Sequence, residues 1–514
     1  MKYFLGLDNG GTTTKAAIYD REGKEICVAS VETKMIVPAP GFVERDMDEM
    51  WEANCTVTRN ALEKSGIDPA DIAGVGICGH GKGLYLWGKD NRPLRNGIIS
   101  TDNRAWKYTE NWRKDGTESE VAKLSCQKIM SCQPVAILAW LRDHEPECMD
   151  KIQWIFEAKD YVRFRLTGEA GAEYGDSSGA NFLNLHTRDY DMELLKLFGL
   201  EQYRDALPPL CEAAKICGQV TEEAAEKCGL LAGTPVIGGL FDIQACMLAA
   251  NVLTEEELCM IAGTWSVELY LSKTPVVEKK FLEYIRNTFF LLPEYYLVEV
   301  GTAASAGNNE WFVRELLPEL KAQAKAEGRS IYEIMNGWVE EIPAKELCPI
   351  FLPYLFESNV HPHAKSCFVG MTSFHTRKHL VRSVYEGIAF THRLDLEHLL
   401  VSRADRPKVI RLTGGVAKSK VWTQIFADVM NLPIEIVDVN ETGALGCAIA
   451  AATATGEYRD MKEAASKMSR ITTRVEPIPE NVAIYNKKYD LYRKTADALN
   501  SVWDVYQDLE DNGL

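Results

Sequence analysis

Two stretches of this chain share one pattern, an apolar arm, a glycine–threonine turn and a second apolar arm. YFLGLD runs through NGGTTT into KAAIYD, and EELCMIA runs through Gly263-Thr264-Trp265 into SVELYLS. Runs of this kind on either side of a glycine turn read as strand, turn, strand. Each stretch therefore predicts a hairpin. Their separation by roughly half the chain suggests a duplicated architecture, with one hairpin opening each domain. The boundary is expected just before the second copy, near Ala250-Asn251-Val252-Leu253, which gives domains 1-250 and 251-514.

Helical spacing appears in both halves. Met50-Trp51 to Ala61-Leu62 predicts an amphipathic helix, and Lys420 to Asn431 places Val421, Ile425, Phe426, Val429 and Met430 on one face. Ser419 is a fitting N-cap for the second. Apolar runs such as TPVIGG and KVIRLTGG beside these helices imply α/β layers in both halves.

One glycine-rich stretch needs separate treatment. Gly76 to Gly83, GICGHGKG, matches the phosphate-loop pattern G-x-x-x-x-G-K-[ST] except at the end, where Gly83 replaces the hydroxyl. The LYLW that follows, and then KDNRP, predict a short strand and a polar turn rather than a helix start. This reads as strand, glycine turn, strand, so any bound phosphates are expected elsewhere.

Composition narrows the function classes. At 514 residues the chain exceeds a single core. With 57 basic against 74 acidic residues, the net charge of -17 argues against a nucleic-acid or anionic-membrane partner. A polyphosphate would need local help from backbone amides, Mg²⁺ or a few lysines. The 14 cysteines form no C-x-x-C pair; Cys126/Cys132 and Cys211/Cys217 stand six apart, which is not a zinc spacing, and reduced, mostly buried thiols are expected. No targeting pattern and no apolar run of about 18 residues is present, so the expected location is cytoplasmic.

Three segments carry candidate chemistry. Asp8 ends a strand and is followed by glycines and hydroxyls. An acid so placed can hold hydrated Mg²⁺ on one side while amides and the hydroxyls of Thr12 and Thr13 meet phosphate oxygens on the other, with Lys15 adding a positive charge. The plain alternative is a polar hairpin turn. The second turn, Gly263-Thr264, could face the first, so that both grip one triphosphate. In the third segment, Leu412 to Ser419, a strand passes through Gly414-Gly415 into the capped helix, and a nucleotide could lie against bare backbone near a helix N-terminus. Plain packing is the alternative there.

The whole chain resembles a carbohydrate kinase of the FGGY family, within the sugar kinase/actin/Hsp70 ATPase superfamily. FLGLDNGGTTTKAAIYD, GGLFDIQACMLAA, AGTWS, ASAGNNEWF, PYLFESNVHPHAKSCFVGMT, VYEGIAF, LTGGVAKSKVWTQIFADVMN and ETGALGCAIAA carry the resemblance in order. L-xylulose kinase-like members resemble it around GKGLYLW, PLRNGIISTDNRA and GGLFD. The resemblance implies an α/β, two-domain actin-like (ribonuclease H-like) fold with a cleft between duplicated domains. It implies ATP and Mg²⁺ as cofactors and a small sugar, most often a ketopentose such as L-xylulose, as substrate. It is compatible with a homodimer.

Roles then follow residue by residue. Asp242 matches the catalytic base, which takes the proton from the attacking hydroxyl; read from its surroundings alone it is a helix N-cap. Asp8 and Asp242 match the metal-binding acids. Gly81, Lys82, Asp102, Arg104 and Asp242 match substrate contacts, and Thr12, Thr13, Lys15, Gly263, Thr264, Gly307, Gly414, Gly415 and Ser419 match the nucleotide side. For Asp102 and Arg104 a surface ion pair is the alternative, and for His80 local packing. Asp8-Asn9-Gly10-Gly11 departs from the more frequent Asp-x-Gly-Thr, leaving a phosphate hydroxyl to Thr12 or Thr13. Ser100 stands where many members have an aromatic, which argues against glycerol, and Ile137 where many have lysine. Other functions compatible with the motifs are a kinase for a different polyol, tetritol, aldonate or ketose, an actin- or Hsp70-like ATPase, and a silent sugar sensor.

Overall fold

The computed structural model of the protein describes residues 2–403 and 405–512. It comprises two compact units that are discontinuous in sequence. The first takes the chain up to Leu253, Leu271–Val298 and Asp438–Arg470; the second takes Thr254–Tyr270, Glu299–Val437 and the chain from Ile471 onward.

In the first unit six of the seven strands of the main sheet lie on one path: β1 Tyr3–Asn9, β2 Thr13–Asp20, β3 Glu25–Glu32, β4 Ile72–Gly79, β5 Ile216–Gln219 and β6 Pro235–Ile237, in the order β5-β6-β4-β1-β2-β3. The predicted hairpin is present, since β1 pairs antiparallel with β2, while β4 runs parallel to β1. The second unit repeats this order. Its strands are β7 Glu257–Ala262, β8 Ser266–Ser272, β9 Tyr296–Thr302, β10 Val409–Thr413, β11 Ile434–Val437 and β12 Ile471–Val475, arranged β12-β11-β10-β7-β8-β9. Here β7 pairs antiparallel with β8 and parallel with β10. The duplication inferred from two turns thus extends to whole sheets.

Both predicted helices form. The first spans Met47–Ser65, starting before the expected Met50 because Asp46 caps it by accepting the amide of Glu49. The second spans Lys420–Met430, and Ser419 accepts the amide of Trp422 as its N-cap. Gly76–Gly83 is the end of β4 followed by a turn, and the strand Tyr85–Gly88 comes next.

The helix Thr442–Ala454, rich in alanine and glycine, sits unusually close to its neighbours. A Cβ on Gly6 of β1 would fall well inside 3.0 Å of the carbonyl of Ala444, and one on Gly76 of β4 would meet the carbonyl of Cys447. On another side of the helix, Gly446 lies against the carbonyl of Ala245, in the helix Asp242–Ala249. Backbone therefore touches backbone, which only glycine permits.

This geometry predicts the result of two substitutions. Gly6→Ala must displace backbone and should cost at least about 3 kcal/mol, at the upper end of overpacking costs. Gly337→Ala, inside the helix Ile331–Glu340 with nothing within 4 Å of the added atom, should be neutral or stabilising by up to about 1 kcal/mol. Thermal melts of the two variants check the contrast.

Candidate active site

Asp242 is placed by a short strand, Leu240–Phe241, which pairs parallel with Cys78 and Gly79 at the end of β4. Asp242 is then the first residue of its helix, with its Oδ1 accepting the amide of Ile243 at 2.7 Å. The acid predicted as a base thus stands beside the loop predicted to hold sugar. Protein surrounds its carboxyl on most sides. Burial first, then the negative charges of Asp8 and Asp176, push its pKa up to about 8.

The loop itself packs on Phe241. A Cβ at Gly81 would run into that ring and come within 2.9 Å of Asp176 Oδ1. Lys82 takes a left-handed backbone with φ 65°, which is costly for a residue with a side chain, and its ammonium lies 5.4 Å from the Phe241 ring centre. His80 faces inward. Its Nε2 meets the Tyr85 hydroxyl at 2.9 Å, its Nδ1 meets the carbonyl of Gly81 at 3.4 Å, and burial lowers its pKa to about 4. His80 is therefore a neutral packing residue, the local alternative anticipated for it.

Asp102 and Arg104 do form an ion pair, but a buried one. Arg104 donates through Nε and Nη2 to Asp102 at 2.9–3.1 Å and through Nη2 to Glu44 at 2.8 Å, while its guanidinium lies over the rings of Phe42 and Trp140. Asp102 also accepts the amide of Val43 at 2.7 Å. The surface ion pair is thus corrected: these charges are matched inside the protein.

On the first hairpin, Asp8 lies opposite Lys15 across β1 and β2. Burial raises the Asp8 pKa, and Lys15 opposes that shift. Lys15 itself donates to Glu441 at 2.6 Å. A Cβ at Gly443 would fall 2.6 Å from Asp8 Oδ2, so the residue beside this carboxylate must be small. Thr12 is exposed, and Thr12 and Thr13 bring their hydroxyls within 3.5 Å of each other.

Sequence reasoning missed a buried charge cluster beside the Gly79–Gly83 turn. Lys159, fully buried, donates to Asp176 at 2.8 Å and to Asp160 at 3.3 Å, and lies 3.7 Å from Glu173. Its backbone and side chain back two turns: the Cβ position of Gly79 lies 3.3 Å from its amide nitrogen, and that of Gly239 lies 3.4 Å from its Cδ. Carboxylate oxygens of Glu157, Asp160 and Asp176 converge within 4.8 Å, a spacing that suits a metal ion, but the Lys159 ammonium already bonds two of them. Burial and Asp176 hold the Glu157 carboxyl well above the usual range, so it stays neutral. The available signal was charge embedded in an apolar helix, EAKDYVRFRLTG.

The second unit gathers its predicted residues around one turn. Gly414, at φ 91°, presses on the backbone of Ala262 and Gly263. Gly307 approaches Thr264, whose Cγ2 and carbonyl lie 3.2 Å from the glycine's Cβ position. Gly263 and Gly415 have nothing within 4 Å of theirs, so bare backbone faces open space. Ser419 is occupied, capping its helix and donating to Asn336 at 2.8 Å. Behind the turn, Ser266, Glu268, His392 and Ser305 form a buried chain of hydrogen bonds of 2.6–3.1 Å. Burial holds Glu268 well above the carboxylate range and lowers His392 to about 4, so this chain is uncharged.

Comparison with known proteins agrees with this geometry. The profile "FGGY family of carbohydrate kinases, N-terminal domain" matches residues 3–249, and its C-terminal counterpart matches residues 258–455. The "L-xylulose/3-keto-L-gulonate kinase" of Escherichia coli (strain K12) is 36% identical, over 97% of this chain and 97% of its own. A "Probable L-xylulose kinase" of Pasteurella multocida (strain Pm70) is 35% identical, over 98% and 100%. In fold, the ligand-bound xylulose kinase of Lactobacillus acidophilus superposes with a TM-score of 0.88 at 24% identity, covering 98% of this chain and 100% of that one. With both profiles matched in order and two relatives above 30% identity along nearly the full length, this chain belongs to the FGGY family of carbohydrate kinases.

Proposed function

We propose that this kinase transfers the γ-phosphoryl group of ATP to a hydroxyl of a ketopentose of the L-xylulose type, with Asp242 as the general base. The observation that carries this reading is the placement of Asp242 beside Gly79, at the root of the sugar loop, with a pKa near the operating pH. A base is most effective when its pKa lies close to that pH. The substrate class comes from the two L-xylulose kinase relatives. The E. coli relative also names a keto acid, and Lys82, on the loop beside the base, favours a carboxylated ketose as the second reading.

Within this reading each unit has a task. Gly81 and Lys82 present the loop to the sugar while Phe241 holds it from below. Asp102 and Arg104, with their charges already matched, give the sugar subsite its shape. Asp242 accepts the proton of the attacking hydroxyl on its carboxylate. In the second unit, the open backbone at Gly263 and Gly415, with Thr264 and Gly307 beside it, suits phosphate oxygens. In the first unit, the hydroxyls of Thr12 and Thr13 are donors of the same class, and Lys15 becomes available only by releasing Glu441. Ser419 serves by capping its helix.

A divalent cation fits this donor set, because Asp242 is an acid whose pKa is raised by burial and then by the negative charge of a second acid, Asp8. Mg²⁺ held there would neutralise charge on the phosphoryl oxygens.

The test begins with a coupled ADP assay on ketopentoses, keto acids, pentitols, tetritols and aldonates. L-Xylulose is expected to give the highest kcat/KM; a better tetritol or aldonate would overturn the substrate assignment. On the best substrate, Asp242→Asn should lose roughly 10²–10⁴-fold in turnover with its fold intact. A folded variant that keeps more than about a tenth of its turnover removes Asp242 as the base. Thr264→Val should weaken ATP far more than Lys82→Met does, and Lys82→Met should weaken the sugar.

The raised pKa of Asp242 also gives a stability test. The native state keeps a proton that the unfolded chain releases near pH 4, so this group's contribution is full below about 4 and lost as pH rises through about 8. Without Mg²⁺, Asp242→Asn should therefore melt higher than the parent at pH 8.5, by about 2–4 °C for each kcal/mol relieved. The gap should close toward pH 4. Equal melts at pH 8.5 would show the carboxylate's charge to be compensated.

A further inference from the structure

Ser266 and Glu268 stand two apart on β8, so their side chains share one face of the strand. The helix Arg377–Leu400 brings the ring of His392 against both. That ring is fully buried, and its two nitrogens have different partners. Nδ1 lies 2.6 Å from Glu268 Oε1 and 2.9 Å from Ser266 Oγ, whereas Nε2 lies 2.8 Å from Ser305 Oγ. Ser266 directly follows the Gly263-Thr264-Trp265 turn, and Ser305 lies in the loop after β9. One side chain therefore ties together two loops that are distant in sequence.

The same two loops meet through their backbones. Ala306 donates its amide to the carbonyl of Gly263 at 2.9 Å, and Gly307 packs on Thr264. Ser305 is the N-cap residue of the helix Ala306–Leu316, yet its side chain makes no cap bond. A serine at that position ordinarily stabilises its own helix. Here the hydroxyl goes to His392 instead. One turn on, Asp395 accepts the hydroxyl of Thr302, at the end of β9, at 3.0 Å, so the helix Arg377–Leu400 grips this loop at two points. A third segment joins at the ring itself. Phe426, in the helix that follows Gly414-Gly415, meets the His392 ring edge-on at 5.0 Å between centres.

Burial sets the order of the protons. Glu268 keeps its proton and His392 stays neutral. The Glu268 hydroxyl then donates to Nδ1, which leaves the single ring proton on Nε2, where it is donated to Ser305. Ser266 in turn donates to Glu268. Both ends of the imidazole are thus fixed without any charge.

We propose that His392 is a positioning residue for the nucleotide, holding the Gly263-Thr264 turn against the Ser305-Ala306-Gly307 segment so that both present their backbone to ATP in one geometry. This rests on the assignment of that turn to the nucleotide side. His392, both serines, Glu268 and Phe426 belong to the second unit, whereas Gly81, Lys82 and Asp242 belong to the first. Loss of the link is therefore felt by ATP and not by the sugar.

The test takes the full-length enzyme with its best sugar and measures kcat, the KM for ATP and the KM for the sugar, beside a thermal melt of each variant. Ser305→Ala removes one hydroxyl and should raise the KM for ATP about fivefold, the worth of one hydrogen bond, while the KM for the sugar stays within about twofold. His392→Phe keeps a ring beside Phe426 but loses both bonds, and should raise the KM for ATP at least about tenfold. His392→Gln returns a donor near the place of Nε2 and should lose less. The double variant Ser305→Ala, His392→Phe should be no worse than His392→Phe alone, because both changes remove the same bond. An unchanged KM for ATP in folded Ser305→Ala and His392→Phe would overturn the proposal. So would equal rises for ATP and sugar, the mark of a fold loosened throughout. If His392→Phe does not fold, Ser305→Ala and His392→Gln decide by the same criteria. Failure of the nucleotide assignment shows separately, as a Thr264→Val enzyme with an unchanged KM for ATP, and the proposal falls with it.

Discussion

The first unit of this protein depends on one close approach, the backbone of Thr442–Ala454 laid directly on β1, β4 and the helix of Asp242. Glycines at 6, 76 and 446 make it possible, since any Cβ there would meet a carbonyl. Two acids far apart in sequence gain their positions from it. Asp8 ends the strand β1, and Asp242 begins the helix against which Gly446 packs. A helix of small residues acts here as a spacer whose thickness sets where both carboxylates stand.

That spacing has an electrostatic consequence. Four carboxyl groups, those of Glu157, Asp160, Glu173 and Asp176, are buried around Lys159 and Arg163, and Asp176 also acts on Asp242. Desolvated acids outnumber their cations, so protons are retained; Glu157 stays neutral and Glu173 is pushed up to about 7. Asp242 is raised first by burial and then by Asp8, and Asp176 of this cluster adds to the shift. The cluster that backs the Gly79–Gly83 turn thus also reaches the carboxyl of Asp242 beside it.

The second unit sets its proposed phosphate-facing turn on a neutral support. The turn at Gly263-Thr264 exposes backbone, and the chain behind it from Ser266 to Ser305 is uncharged because His392 and Glu268 are both neutral when buried. A rigid, neutral support keeps the turn in shape while leaving its amides as the dominant field.

The sequence by itself determined the elements that depend on local pattern: both hairpins, the helix capped by Ser419, the strand–turn–strand at GICGHGKG, and the ordered motifs that assign the family. Each rests on residues within a few positions of one another. It also suggested the duplication, because two turns of the same kind implied one hairpin opening each domain, and the matching strand orders of the two sheets came from the structure. Tertiary structure alone decided which charges meet. Lys15 reaches Glu441 across 426 positions, Arg104 finds Glu44 across 60, and the ring of His80 turns into the core. Lys159 offered only the weak signal of charge embedded in an apolar helix, which names none of its partners. The physical reason is that periodicity records which face of an element is buried, whereas the partner of a buried charge, and the protonation it adopts, are set by whatever the folded chain brings against that face.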